Sequence, residues 1–136
     1  MSRILILNLP IGIAVTAVSG VLQLFGSPHN LAVQANFAYG AGGTSVDAYL
    51  QTSLDGGATW IDIANVHFTT SAGIKVYNLF SGTPKTTAVV PTDGSLTANT
   101  AVDGILGALY RVKYAVVGTY TGATSLAIDI VTDKQA

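Results

Sequence analysis

The feature that most constrains this chain is a rhythm of two. In LAVQANFAY, Leu31, Val33, Ala35, Phe37 and Tyr39 fall on one face, while Gln34 and Asn36 fall on the other. The same alternation returns in SVDAYLQTS, with Val46, Ala48 and Leu50 set against Asp47, Tyr49 and Gln51. Ile61 and Ile63 flank Asp62, and IKVYNLF (74–80), TTAVV (86–90), LYRVKYAVV (109–117) and SLAIDIV (125–131) follow. A period of two is what a strand with one buried face requires, because successive side chains leave the backbone on opposite sides. Gly, Pro, Asn and Ser punctuate the gaps, where turns need them. No amphipathic helix and no repeat unit of fixed period is discernible. The pattern predicts one all-β domain over residues 1–136, an antiparallel β-sandwich or jelly roll of about eight strands.

The N-terminus needs separate treatment. Residues 4–26 carry no charge and follow Arg3, an arrangement also found in leader peptides and membrane spans. Asn8, Pro10, Gly12, Ser19, Gly20 and Gln23 interrupt the run, and Ile and Val outnumber Leu in its middle. Two short strands joined by a Pro-Ile-Gly bend account for it better. The first, within residues 1–10, is equally suited to serve as an arm that adds to a neighbour's sheet.

Residues 109–131 read as a final hairpin. Folding GTYTGAT (118–124) about Thr121 sets Tyr110, Val112, Tyr114 and Val116 opposite Thr132, Ile130, Ile128 and Leu126. It also sets Lys113 opposite Asp129, a cross-strand pair of opposite charge. Residues 81–107 look least like core, with Pro84, Pro91 and four glycines. They predict one or two short strands in long loops, the usual place for contacts.

Composition excludes more than it identifies. Cysteine is absent, so there is neither a disulfide framework nor a thiolate site. The acids are seven Asp with no Glu, and the six basic residues are scattered, so no phosphate-binding surface is expected. His29 and His67 have no ligand spacing, and the Asp-Gly pairs at 93 and 103 lack the alternating acids of a calcium loop. GAGG at 40–43 precedes no helix and is a strand connection rather than a phosphate loop. No metal, no cofactor, no nucleic acid and no membrane partner is expected, and no catalytic residue is assigned. Charged residues are only 10% of the chain, against roughly 25% in an ordinary soluble domain. That deficit points to a surface partly covered by other subunits, the alternative being a monomer faced with Thr, Ser and Asn.

SLDGGATW, residues 53–60, has the form S-x-D-x-G-x-T-W. It resembles the Asp-box of sialidases and other glycan-processing proteins. Each position has a mechanical role. Asp55 accepts backbone amides of its own turn, Gly57 and its neighbour Gly56 permit positive φ, Ser53 bonds across the turn, and Trp60 packs the corner down. The sialidase active site also needs an arginine cluster and a Tyr–Glu pair, whereas this chain has two Arg and no Glu. The motif is therefore expected to build a corner, away from any chemistry.

VDAYLQTSLDGGATWIDIANVHF, followed by LYRVKYAVVGTYTGATSLAIDIVTD, resembles small β-sandwich structural proteins of tailed bacteriophages. The resemblance implies a virion component without catalysis, assembled in the host cytoplasm. A capsid decoration (cement) protein is the leading expectation, in contact with the major capsid protein and forming a homo-oligomer, a trimer by analogy. Arg3, Ile4, Leu5 and Ile6, together with Pro84, Lys85 and Pro91, are the candidate assembly contacts. A neck or tail protein is one alternative. A carbohydrate-binding module stacking sugars on Trp60, Tyr49 and Tyr120 is another.

Overall fold

The computed structural model describes residues 2–136; Met1, the first residue of the expected arm, lies outside the described residues. The strands in chain order are β1 (Ser2–Pro10), β2 (Val15–Val18), β3 (Leu22–Gln23), β4 (Asn30–Ala38), β5 (Ala41–Gly42), β6 (Ser45–Ser53), β7 (Ile61–Phe68), β8 (Gly73–Phe80), β9 (Leu109–Val117), β10 (Tyr120–Thr121) and β11 (Ser125–Thr132). The described residues contain no helix, and so none long and apolar enough to cross a membrane.

The long strands form two antiparallel sheets. One has the order β1-β11-β4-β8 and the other β2-β9-β6-β7, with β3 continuing beside β2 along β9. The turn from β6 to β7 stays within one sheet, and every other link between successive long strands crosses to the opposite sheet. This is the strand order of a jelly roll, and it agrees with the fold class that the alternation predicts. The alternation also predicts what lies inside. Leu31, Val33, Ala35, Phe37, Leu126, Ile128 and Ile130 from one sheet meet Val46, Ala48, Leu50, Ile63, Tyr110 and Val112 from the other in a single core.

Two expectations are corrected. The first is the final hairpin: β9 pairs with β6 and β2, while β11 pairs with β1 and β4. The two strands lie in different sheets. Their apolar positions matched because both line the same core from opposite sides, not because they are hydrogen-bonded neighbours. Lys113 therefore sits opposite Tyr49, and Asp129 opposite Gln34. The link is no tight turn, since Tyr120–Thr121 pairs with Ala41–Gly42 and the Tyr120 ring lies flat on Gly43. A Cβ at Gly43 would stand 2.3 Å from that ring, which explains the glycine.

The second correction concerns residues 86–90, which form no strand. The whole 81–108 connection is irregular apart from a bridge between Ala101 and Ala64. Its backbone is tied to β7 instead. The Asp62 amide donates to Thr92 O, the Asn65 amide to Thr100 O and the Val102 amide to Ile63 O, at 2.8–3.0 Å. The strand expected within residues 1–10 is β1, paired along its length with β11, with a bulge after Leu5. Ile4, Ile6 and Leu9 pack against the core.

Candidate functional site

The Asp-box corner is built as its residues dictate. Ser53 Oγ accepts from the Gly57 amide at 2.9 Å and donates to Asp55 Oδ1 at 3.0 Å. Asp55 Oδ1 also accepts from the Thr59 amide at 2.7 Å. That backbone donor, helped by the Thr59 and Ser53 hydroxyls, holds the Asp55 carboxyl below its usual range. Gly56 and Gly57 have φ of 76° and 97°, values other residues reach only with strain. Trp60 is 8% exposed and lies outside the main core, beneath the Arg111 guanidinium, which stacks 4.4 Å above its ring.

Arg111 leads to the densest polar site in the molecule. Its Nε donates to Gln51 Oε1 at 2.7 Å, and Gln51 Nε2 donates to both Asp62 (2.8 Å) and Asp93 (2.7 Å). Asp93 also meets Arg111 at 3.3 Å and Lys113 at 3.4 Å. The Gln51 amide first, then Lys113 and Arg111, keep the Asp93 carboxyl below its ordinary value. Asp62 is only 2% exposed. Its carboxylate accepts from the Thr92 hydroxyl at 2.8 Å and from the amides of Gly94, Ser95 and Leu96 at 2.9–3.2 Å. Gly94, at φ 90°, turns the chain so that successive amides converge on that carboxylate. A register shift between β6 and β7 sets Asp62 opposite Gln51.

A second cluster lies farther along β7. His67 Nδ1 is 2.8 Å from Asp47 Oδ1, which also accepts from Asn65 Nδ2. Asn99 Oδ1 receives the His67 amide at 3.0 Å and Lys75 Nζ at 2.9 Å. Elsewhere Asp103 holds the Phe80 amide and the Thr83 hydroxyl, Asp133 holds the amides of His29 and Asn30, and Asp129 pairs with Arg3 at 3.2 Å. Each of the seven aspartates is thus engaged in an internal bond to its own turn, to a loop or to a neighbouring strand. Among the described residues no group of three or more His, Cys, Asp or Glu is placed to hold a metal ion.

The structure does not bring the candidate assembly contacts together. Arg3 and Leu5 are exposed on the outer face of β1, while Ile4 and Ile6 turn toward the core. Pro84, Lys85 and Pro91 are exposed on the 81–108 connection, which is bonded to the opposite edge of the sandwich. The aromatic trio proposed for sugar stacking is likewise dispersed. Tyr120 is buried, with its ring edge against Phe37 and its hydroxyl on Thr69 O, and Arg111 already covers Trp60. Only Tyr49 is partly exposed.

Sequence reasoning missed Asp62, which it placed on a strand face without a partner. A usable signal was Thr92-Asp93-Gly94-Ser95, a turn sequence that exposes successive amides to an anion. It also missed the apolar edge formed by Ile13, Val15, Val18, Val21 and Phe25, all of them exposed. Comparison with family models, curated proteins and solved structures finds no match for the chain.

Proposed function

We propose that this chain is a non-enzymatic structural protein of a tailed-phage virion, a decoration protein that bridges neighbouring capsid subunits and reinforces the head. The observation that carries the proposal is how the fold uses its charge. Every Asp is spent on an internal tie, which leaves a charge-poor jelly roll whose surface suits contact with other subunits rather than chemistry. Jelly rolls recur in viral capsid proteins, but also in lectin domains and cupins, so the fold alone supports the reading only by analogy. The resemblance of residues 47–63 and 109–133 to phage structural proteins adds to it. The buried rings of Trp60 and Tyr120 weigh against the sugar-binding alternative.

The test is co-sedimentation of the purified chain with empty heads assembled from the major capsid protein of the same genome. Saturable binding at a fixed ratio to capsid subunits is expected. Heads that sediment free of the chain at all concentrations would remove the decoration reading.

A further inference from the structure

β7 is buried on more than its core face. All its residues except His67 are buried, Asp62 and Asn65 among them, although a strand with one core face needs only alternate residues buried. The cover is the 81–108 connection. Residues 99–102 run antiparallel to β7: the Asn65 amide donates to Thr100 O, Ala101 bridges Ala64, and the Val102 amide donates to Ile63 O. Residues 92–96 wrap the Asp62 carboxylate.

This cover has no apolar anchor of its own. Among the described residues none from 81 to 105 is buried, and Val90 is 80% exposed. Packing on the core begins only at Ile105 and Leu106. Polar ties hold the rest. Asp62 grips one end, and Asp93 adds Gln51, Arg111 and Lys113 there. Asn99 grips the other. Its amide donates to Asn65 Oδ1 at 3.0 Å, while its Oδ1 accepts from the His67 amide at 3.0 Å and from Lys75 Nζ at 2.9 Å. Among the described residues Asn99 is the one non-glycine with positive φ, at 57°. Asp103 clasps the base of the connection, taking the Phe80 amide and the Thr83 hydroxyl at its start.

We infer that residues 84–102 are a strap that opens from β7 as one unit while the jelly roll stays folded, with the Asp103 clasp as its hinge. Releasing one grip lengthens the free loop that the other must close, and no buried side chain lies between the two to hold either part separately. Opening leaves the amides of Asp62 and Asn65 and the carbonyl of Ile63 unpaired, which turns β7 into an open edge strand. The strap is therefore a removable guard on an edge that would otherwise accept an extended strand.

Amide hydrogen exchange of the full chain tests this. The amides of Gly94, Ser95, Leu96, Asn99 and Val102, with those of Asn65 and His67 beneath them, should share one protection factor. It should lie at least about 100-fold below that of the amides between β4 and β11. It should hardly change in low denaturant, because opening exposes little apolar surface. Asn99→Gly keeps the positive φ and removes the side-chain ties. It should lower the protection of Gly94, Ser95 and Leu96, which are bonded to Asp62 rather than to Asn99, by at least about ten-fold. Asp62→Asn should do the same to Asn99 and Val102, which are bonded to Asn65 and Ile63. Losses confined to the amides that each substituted side chain itself bonds would show independent ties and overturn the inference. Strap amides that exchange only as fast as those between β4 and β11 would overturn it too. Should a variant fail to fold, the wild type in a denaturant series decides: one shared, denaturant-independent rate supports the strap, and separate rates overturn it.

Discussion

The carboxylate of Asp62 lies 2.9 Å from the amide of Gly94, a residue 32 positions farther along the chain. That bond and its neighbours pin the middle of the 81–108 connection to β7 and cover that strand's outer edge. A buried carboxylate that accepts several donors cannot be removed cheaply, because the donors are left unpaired.

Asp62→Ala should therefore destabilise the fold by about 3 kcal/mol in denaturant titration. It should also expose the amides of Gly94, Ser95 and Leu96 to rapid hydrogen exchange. A loss below about 0.5 kcal/mol would show that the connection is held by its backbone bonds alone.

Asp55→Ala should lower the thermal midpoint by several degrees while leaving any head binding intact, since Asp55 serves only its own turn. Gly57→Ala should act in the same direction through its positive φ. Binding lost at unchanged stability would make the corner a contact site instead.

Acid should weaken the fold in a defined window. Backbone and side-chain donors hold the carboxyls of Asp55, Asp93 and Asp103 below their usual values. A group depressed in the folded state contributes fully above its unfolded value, about 3.9, and that contribution disappears as pH falls through the folded value. Thermal midpoints should thus hold near neutrality and fall between about pH 5 and pH 2. Asp103→Asn should flatten the slope. A midpoint unchanged across that window would contradict the assigned bonds.

The Tyr110 side chain is fully buried, and among the described residues its hydroxyl has no partner within good hydrogen-bond geometry. The neighbouring Thr52 Oγ1 is already engaged by Leu109 O and the Gly107 amide. Burial pushes the phenol well above its ordinary value. Tyr110→Phe should be neutral or should stabilise by about 1 kcal/mol. A clear loss would show that the hydroxyl is bonded in solution.

The alternation of residues 31–39, 45–50 and 125–131 made the strands and the core legible, because period two reports which face is buried. It could not report which strand lies beside which. Tyr110, Val112 and Val116 alternate in step with Leu126, Ile128 and Ile130 whether the strands are paired or face each other across the core, and the structure chooses the latter. The Asp-box corner was legible residue by residue because its bonds are local. The Asp62 site was not, since all its donors but Gln51 lie 30–34 residues away in a stretch without period. The open edge escaped for a related reason: apolar residues at 13–25 look like core until the topology places them at the margin.

The proposed role is that of a decoration protein on a phage head. Electron cryomicroscopy of particles from the genome that encodes it, with the gene intact and deleted, tests this most directly. The account predicts jelly-roll density at lattice-related positions on the head, absent from the deletion particles. Particles identical in both preparations would contradict it, and density confined to the neck or tail would replace decoration with the other structural role.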